Sequence, residues 1–193
     1  MSFKIDSKQS DLRILVYRAG AMARLGHNHV IVNRALVGWV DVAAKITDSA
    51  FALQVPVGAF EVDNAALRLE EGGDFPGEID SGSIDGTLRN MQSAALLNVA
   101  SYPTINVKSV AVSGVQPGLV VTLAISVAGH ESRIVVPFTM VGSQAEQRIQ
   151  VSGNFVLRQS DLGLTPFSVM LGALQVQDEM RLKFTIIAVA RAG

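Results

Sequence analysis

The stretch Gly153–Val189, GNFVLRQSDLGLTPFSVMLGALQVQDEMRLKFTIIAV, decides the fold. It opens as a strand with Phe155 and Leu157 on one face and Asn154, Val156 and Arg158 on the other. It closes as a second strand carrying Leu182, Phe184, Ile186 and Ala188 at period two. Between them lies Asp161-Leu162-Gly163-Leu164-Thr165-Pro166-Phe167, continued by Val169, Met170, Leu171 and Leu174. A solvated connection has no use for so many apolar residues. The loop is expected to fold back over a core or a ligand, as a mouth or lid on a β-structure. That points to binding rather than catalysis.

The same alternation runs outward through the chain. Leu12, Ile14 and Val16 share a face early on. Leu36 to Ile46 and Phe51 to Val57 follow, with Pro56 marking an edge or a bulge. Strands resume over 104–112, 119–127, 132–141 and 148–158, separated by Ser113-Gly114, Pro117-Gly118, Gly129 and Gly142-Ser143. One segment changes period. Ile84, Leu88, Met91, Ala95 and Leu96 predict an amphipathic helix over 83–97, with Asp80, Ser81 or Ser83 as its cap and Pro103 beyond its end. Gly58 to Ser81, with Glu70-Glu71-Gly72-Gly73-Asp74, reads as a solvated acidic excursion. Eight or nine strands without a βαβ rhythm imply one domain over 1–193, a mainly all-β antiparallel barrel with one helical insertion.

Composition narrows the function. Charged residues are 17% of the 193, against about 25% in an average domain, and hydrophobic residues reach 49%. With a mean hydropathy of +0.34, the apolar excess calls for a lined cavity, a buried oligomer face, or both; a homodimer is one form of the second. Net charge is −1 and no basic run occurs, which argues against a nucleic-acid partner. No window approaches the length of a transmembrane helix, and 6% aromatics do not supply the girdles of an outer-membrane barrel. There are no cysteines, hence no disulfides or thiolate sites. The opening MSFKIDSKQSDL lacks the charged and apolar regions of a signal peptide, and the compartment stays open. No nucleophile elbow, dinucleotide fingerprint or phosphate loop is present, so a non-enzyme is expected.

Three sets of residues are candidates for a site. Phe138, Met140, Phe155, Leu164, Phe167, Met170 and Phe184 fall on the faces and loop that would line an interior. Alternation alone does not separate lining from filled core. Arg158 and Asp161 would anchor a polar head group at the barrel mouth; otherwise Asp161 caps a turn and Arg158 pairs with Asp178 or Glu179. His27 and His29, at i and i+2, would face one side of a strand and could share a metal or haem, with His130 as a distant third. The alternative has them bonding backbone at a barrel rim.

Three stretches carry a family resemblance: the opening FKID…SDL, the central LRNMQSAALLNVASYPTI and the later FVLRQSDLGLTPF. With them the chain resembles YceI-like proteins from about Phe3 to Val189. Tyr102-Pro103-Thr104-Ile105 and Arg158 with Asp161-Leu162-Gly163 are the more specific pieces. The resemblance implies an eight-stranded lipocalin-like barrel and, in some members, a long apolar tunnel holding a polyisoprenoid or isoprenoid quinone. It also implies export to the bacterial periplasm. Gly26-His27-Asn28-His29 departs from the commoner pattern and marks a variant branch. The leading expectation is thus a carrier for an amphiphilic lipid. A metal- or haem-binding module and a ligand-free interaction protein are the alternatives.

Overall fold

The computed structural model describes residues 1–143 and 146–190. In chain order the strands are β1 (Ser2–Ile5), β2 (Asp11–Ala19), β3 (His29–Asn33), β4 (Val37–Asp41), β5 (Ala50–Pro56) and β6 (Phe60–Val62). After helices α1 (Ala65–Glu71) and α2 (Ser81–Gln92) come β7 (Thr104–Ser113), β8 (Leu119–Val127), β9 (His130–Ser143) and β10 (Arg148–Arg158). The short β11 (Ser168–Val169) and the long β12 (Leu174–Ala190) follow. Every pairing is antiparallel, and β12 meets both β10 and the first strands, closing the sheet on itself.

The short strands combine into long walls. Along β12, Phe3 of β1 lies opposite Ala190 while Leu12 of β2 lies opposite Phe184, so β1 and β2 form one wall with a break. β3 and β4 form the next wall, against β2 and β1 respectively, and β6 and β5 the third. With β7, β8, β9, β10 and β12 this makes an eight-walled barrel whose neighbours in space are neighbours in sequence. Closure joins the two outer margins of the sheet, while β9 and β10 pair only from Thr139 to Ser143 against Arg148 to Ser152.

The breaks have identifiable causes. Ser10 Oγ donates to Asp6 O at 2.7 Å and accepts from Ile187 N–H at 2.9 Å, so a side chain spans the gap that the 3-10 turn Ser7–Gln9 makes in the ladder. Pro56 ends β5 because it has no N–H to give to a ladder. Its carbonyl accepts from Nδ2 of the fully buried Asn33, whose Oδ1 accepts from Ala35 N–H. One asparagine thereby stitches two neighbouring breaks.

The expected helix over 83–97 is observed as Ser81–Gln92, with turns carrying Leu96 and Leu97 to the interior. Asp80 is its cap, accepting from Ser83 N–H at 2.9 Å. The expected acidic excursion is corrected. Within Gly58 to Ser81 the chain forms β6 and α1, and Leu67 and Phe75 pack on Leu15, Val30 and Val32 as a second core outside the barrel wall. Both faces of β2 and β3 are therefore covered, which explains the unbroken apolar run Val30-Ile31-Val32. Glu71 is not solvated: its side chain is 5% exposed and pairs with Arg13 and Lys183, which belong to two adjacent walls. Asn64 caps α1 by accepting from Ala66 and Leu67 N–H. Asn64→Ala should cost about 1 kcal/mol, read as a shifted urea midpoint at unchanged slope.

Candidate functional site

The barrel is hollow. It contains a cavity of about 360 Å³, within the range of small-molecule sites. Inward residues such as Leu12, Ile14, Phe138, Phe155, Leu182 and Phe184 are only partly buried because they border this void rather than packed neighbours. Along β10, lining residues run from Val151 to Leu157, about 20 Å at the usual strand rise. Such a volume spread over that length suits a slender chain better than a compact ring system. The wall is apolar except for His29, Ser49, Thr87, Asn90 and Gln159, and none of its residues is Lys, Arg, Asp or Glu.

Of the residues singled out in the sequence, Phe138, Met140, Phe155, Leu164, Phe167 and Phe184 lie on this wall. Phe155 and Phe184 meet edge to face at 6.4 Å. The Phe184 ring lies over Gly153, where an added Cβ would come within 2.5 Å of the ring and 2.9 Å of Pro137 O. Gly153→Val should therefore cost about 1–3 kcal/mol by overpacking and push Phe184 into the cavity, measurable as lower Tm together with weaker uptake of an apolar probe. Met170 is placed elsewhere. It follows β11 in a 3-10 turn with φ of +54° and is 62% exposed, so the loop turns its Met170-Leu171 tip to solvent while Leu162 and Leu164 turn inward and Phe167, still 36% exposed, borders the cavity. The expected lid is thus half lid and half exposed tip.

Arg158 and Asp161 are not brought to the cavity. Arg158 points outward, 60% exposed, 3.5 Å from Glu179. Asp161 is exposed as well, and the turn is capped instead by Asp178, which accepts from Ser160 N–H and Oγ at 2.8 and 2.6 Å. The polar residue at that end is Gln159, 6% exposed, donating to Gln177 O at 2.8 Å. Arg158 ends β10 facing out, and Gln159, with αR backbone angles at the head of the next turn, faces in.

The two neighbouring histidines stay close but differ in burial. β3 begins at His29, so His27 precedes the strand. His27 is exposed, with its ring centroid 6.2 Å from that of His29. His130 is exposed and packs its ring on Gly163, which holds a left-handed φ of +74°. Among the described residues no group of three or more His, Cys, Asp or Glu is placed to hold a metal ion.

His29 belongs to a different constellation, not visible in the sequence pattern. Its Nδ1 donates to Asp63 Oδ2 at 2.5 Å. Asp63 follows β6 with φ of +54°, a region Asp tolerates, and its Oδ1 accepts from Val30 N–H at 2.9 Å and Arg68 Nη1 at 2.6 Å. Arg68, 2% exposed, also donates to Asn28 O, Gly77 O and Pro76 O and lies over Phe75. Burial alone would raise the Asp63 carboxyl. The bonds from His29, Val30 N–H and Arg68 outweigh it and hold the group below its ordinary 3.8.

A carboxyl depressed on folding adds stability above its unfolded value and loses it as the pH falls through the folded one. Unfolding free energy should therefore drop steeply as the pH falls below 3.8, and Asp63→Asn should flatten that drop in urea titrations at successive pH values.

The architecture is thus a closed antiparallel barrel around an apolar cavity. The chain matches the YceI-like domain over residues 3–188 and belongs to that family. Among solved structures it is similar to BcnA of Burkholderia cenocepacia, at 14% identity and a TM-score of 0.69, covering 96% of this chain and 99% of that one. It is also similar to a polyisoprenoid-binding domain from Saccharophagus degradans implicated in plant cell wall breakdown, at 14% identity and a TM-score of 0.63, with 98% of each chain covered. The YCEI protein of Campylobacter jejuni aligns at 13% identity and a TM-score of 0.58, covering 81% of this chain and 82% of that one. At these identities the likeness is one of fold. No curated protein sequence matches the chain.

Proposed function

We propose that this protein is a non-catalytic carrier or sequestering protein for an amphiphilic lipid with a polyisoprenoid-like chain, held extended inside the barrel. The observation that carries this reading is the hollow interior, elongated and apolar along almost its whole wall. A dry apolar void of about 150 Å³ already accepts benzene, and this cavity is more than twice that volume. The polyisoprenoid-binding relative from Saccharophagus degradans supports the choice of chain.

Binding without chemistry is supported by what surrounds the one titratable group on the wall. The nearest hydroxyl to His29 Nε2 is Thr87 Oγ1 at 3.5 Å, and that hydroxyl donates to Ser83 O at 2.9 Å. That hydroxyl proton is directed at the backbone rather than at the imidazole. We place the protein in the periplasm on family grounds. Native mass spectrometry of freshly purified protein, with an organic extract of the same sample, tests the carrier reading. The expected result is a bound species of isoprenoid mass. A ligand-free protein that also takes up no added prenyl lipid would overturn it.

A further inference from the structure

We propose that a ligand enters and leaves the barrel sideways, through a seam between β9 and β10, rather than past the loop at its mouth. This rests on the carrier reading and adds the route.

The β9–β10 ladder stops at Thr139 opposite Ser152. Beyond that pair both strands continue, β9 back to His130 and β10 on to Arg158, each laddered only to its other neighbour, β8 or β12. Pro137 accounts for the stop. Ser152 O lies 3.4 Å from Thr139 Oγ1, and Pro137 O lies 2.9 Å from where a Cβ on Gly153 would sit. Thr139 and Pro137 thus belong to the alternate residues of β9 whose backbone polar groups face β10, and Pro137 has no N–H to give. Continued in register, Val135 would meet Val156 and Arg133 would meet Arg158, and neither pair forms.

The seam is bounded at both ends and shut by side chains. One end is the Thr139–Ser152 pair; at the other, the His130 ring packs on Gly163. Its inner lips are Val136 and Phe138 on one strand and Phe155 and Leu157 on the other, all on the cavity wall. Its outer lips, Val135 and Val156, are 63% and 54% exposed, while Val136 and Leu157 are buried and close the slit. Parting β8 from β9, or β10 from β12, breaks backbone bonds along a continuous ladder. The loop over the mouth is also tied by backbone, through Val176 N–H to Phe167 O at 2.9 Å and Met22 N–H to Ala173 O at 2.7 Å. Opening the seam displaces apolar side chains and no ladder bond, and an apolar chain passing between the lips replaces the contacts it interrupts. From Gly153 to Arg158 the seam is about 17 Å long, so an extended chain can slip in along its length instead of threading end-first.

The chain has no cysteine, so Val135→Cys with Val156→Cys puts one thiol on each outer lip, and a short bis-methanethiosulfonate bridges them reversibly. Retinol, an isoprenoid whose fluorescence rises out of water, is the probe. Bridging should slow its uptake and its release each at least about tenfold, leave the affinity unchanged because both directions share one route, and be undone by reductant. The same bridge between Thr122→Cys and Val135→Cys, opposite each other in the continuous β8–β9 ladder, should leave both rates as they were. Retained binding with unchanged rates across the bridged seam, or equal slowing by both bridges, would overturn the route alone. Hydrogen exchange in the unaltered protein gives a second reading. The amides of Val135 and Val156 should exchange far faster than those of Val141 and Gln150, which face each other within the ladder, and equal protection would overturn the seam. Failure of the unaltered protein to take up retinol would overturn the carrier reading and the route with it.

Discussion

Arg68→Ala lowers the stability of the fold by about 3–5 kcal/mol, the cost of breaking a buried ion pair from one side. The size follows from what is left behind. Asp63 loses the partner at 2.6 Å on Oδ1 and remains a buried carboxylate, with only His29 and a backbone N–H to hold it. The carbonyls of Asn28, Gly77 and Pro76 lose donors, and Phe75 loses the guanidinium over its ring. At about 2–4 °C per kcal/mol for a chain of this length, Tm drops by roughly 6–20 °C. Arg68→Lys restores only part, because an ammonium cannot spread donors over the fork that four acceptors occupy. Urea unfolding of the three proteins checks this. A loss below about 1 kcal/mol would place the pair among solvent-screened surface bridges and remove the basis for calling it structural.

Phe184→Asp removes lipid retention, with co-purified or added prenyl lipid reduced at least about tenfold. Phe184 lies against Phe155 and over Gly153 in the cavity wall. Aspartate there subtracts a ring from the contact surface and introduces a carboxyl that apolar surroundings drive towards its neutral form. Part of the cost falls on the fold, since large-to-small changes at lining positions remove packing. The strand signature in circular dichroism should nonetheless persist, because the ladder partners of β12 on both sides are untouched. Unchanged lipid content in the folded variant would mean that the chain does not run past this wall.

Much of the barrel was legible because its signals are local. Period-two alternation from Leu119 to Val127 and from Arg148 to Arg158 needs no distant partner to be read, and the observed ladders over these residues are continuous. The inward aromatic residues of β9, β10 and β12 follow from the same parity. Helix α1 was also written locally, in Asn64 ahead of Ala65-Ala66-Leu67-Arg68-Leu69-Glu70-Glu71 and Gly72 after it. Its shortness and the neighbouring acidic residues hid it behind a loop-like composition.

The polar constellation was not legible for a different reason. His29, Asp63, Arg68 and Thr87 come from four segments and converge only once β6 pairs with β3 and α2 packs beside them. The sequence shows instead the pair His27 and His29, of which only His29 reaches the cavity wall. Arg158 and Asp161 drew attention in the same way. Charge is conspicuous in a string of letters, whereas inside a hollow barrel the informative polar residue is the uncharged Gln159 beside them.

The placement of β12 has a consequence for how the molecule comes into being. This strand, the last described, bonds to β10 along one side and to β2 and then β1 along the other. As the chain emerges in order, the preceding walls can form only an open curved ribbon, with β10 and the β1–β2 wall as two bare margins. Joining those margins demands contacts across nearly the entire chain, the kind that slows folding and leaves apolar faces exposed to self-association meanwhile. Refolding should accordingly be limited by the docking of one strand. The container has no inside until its final stave is fitted.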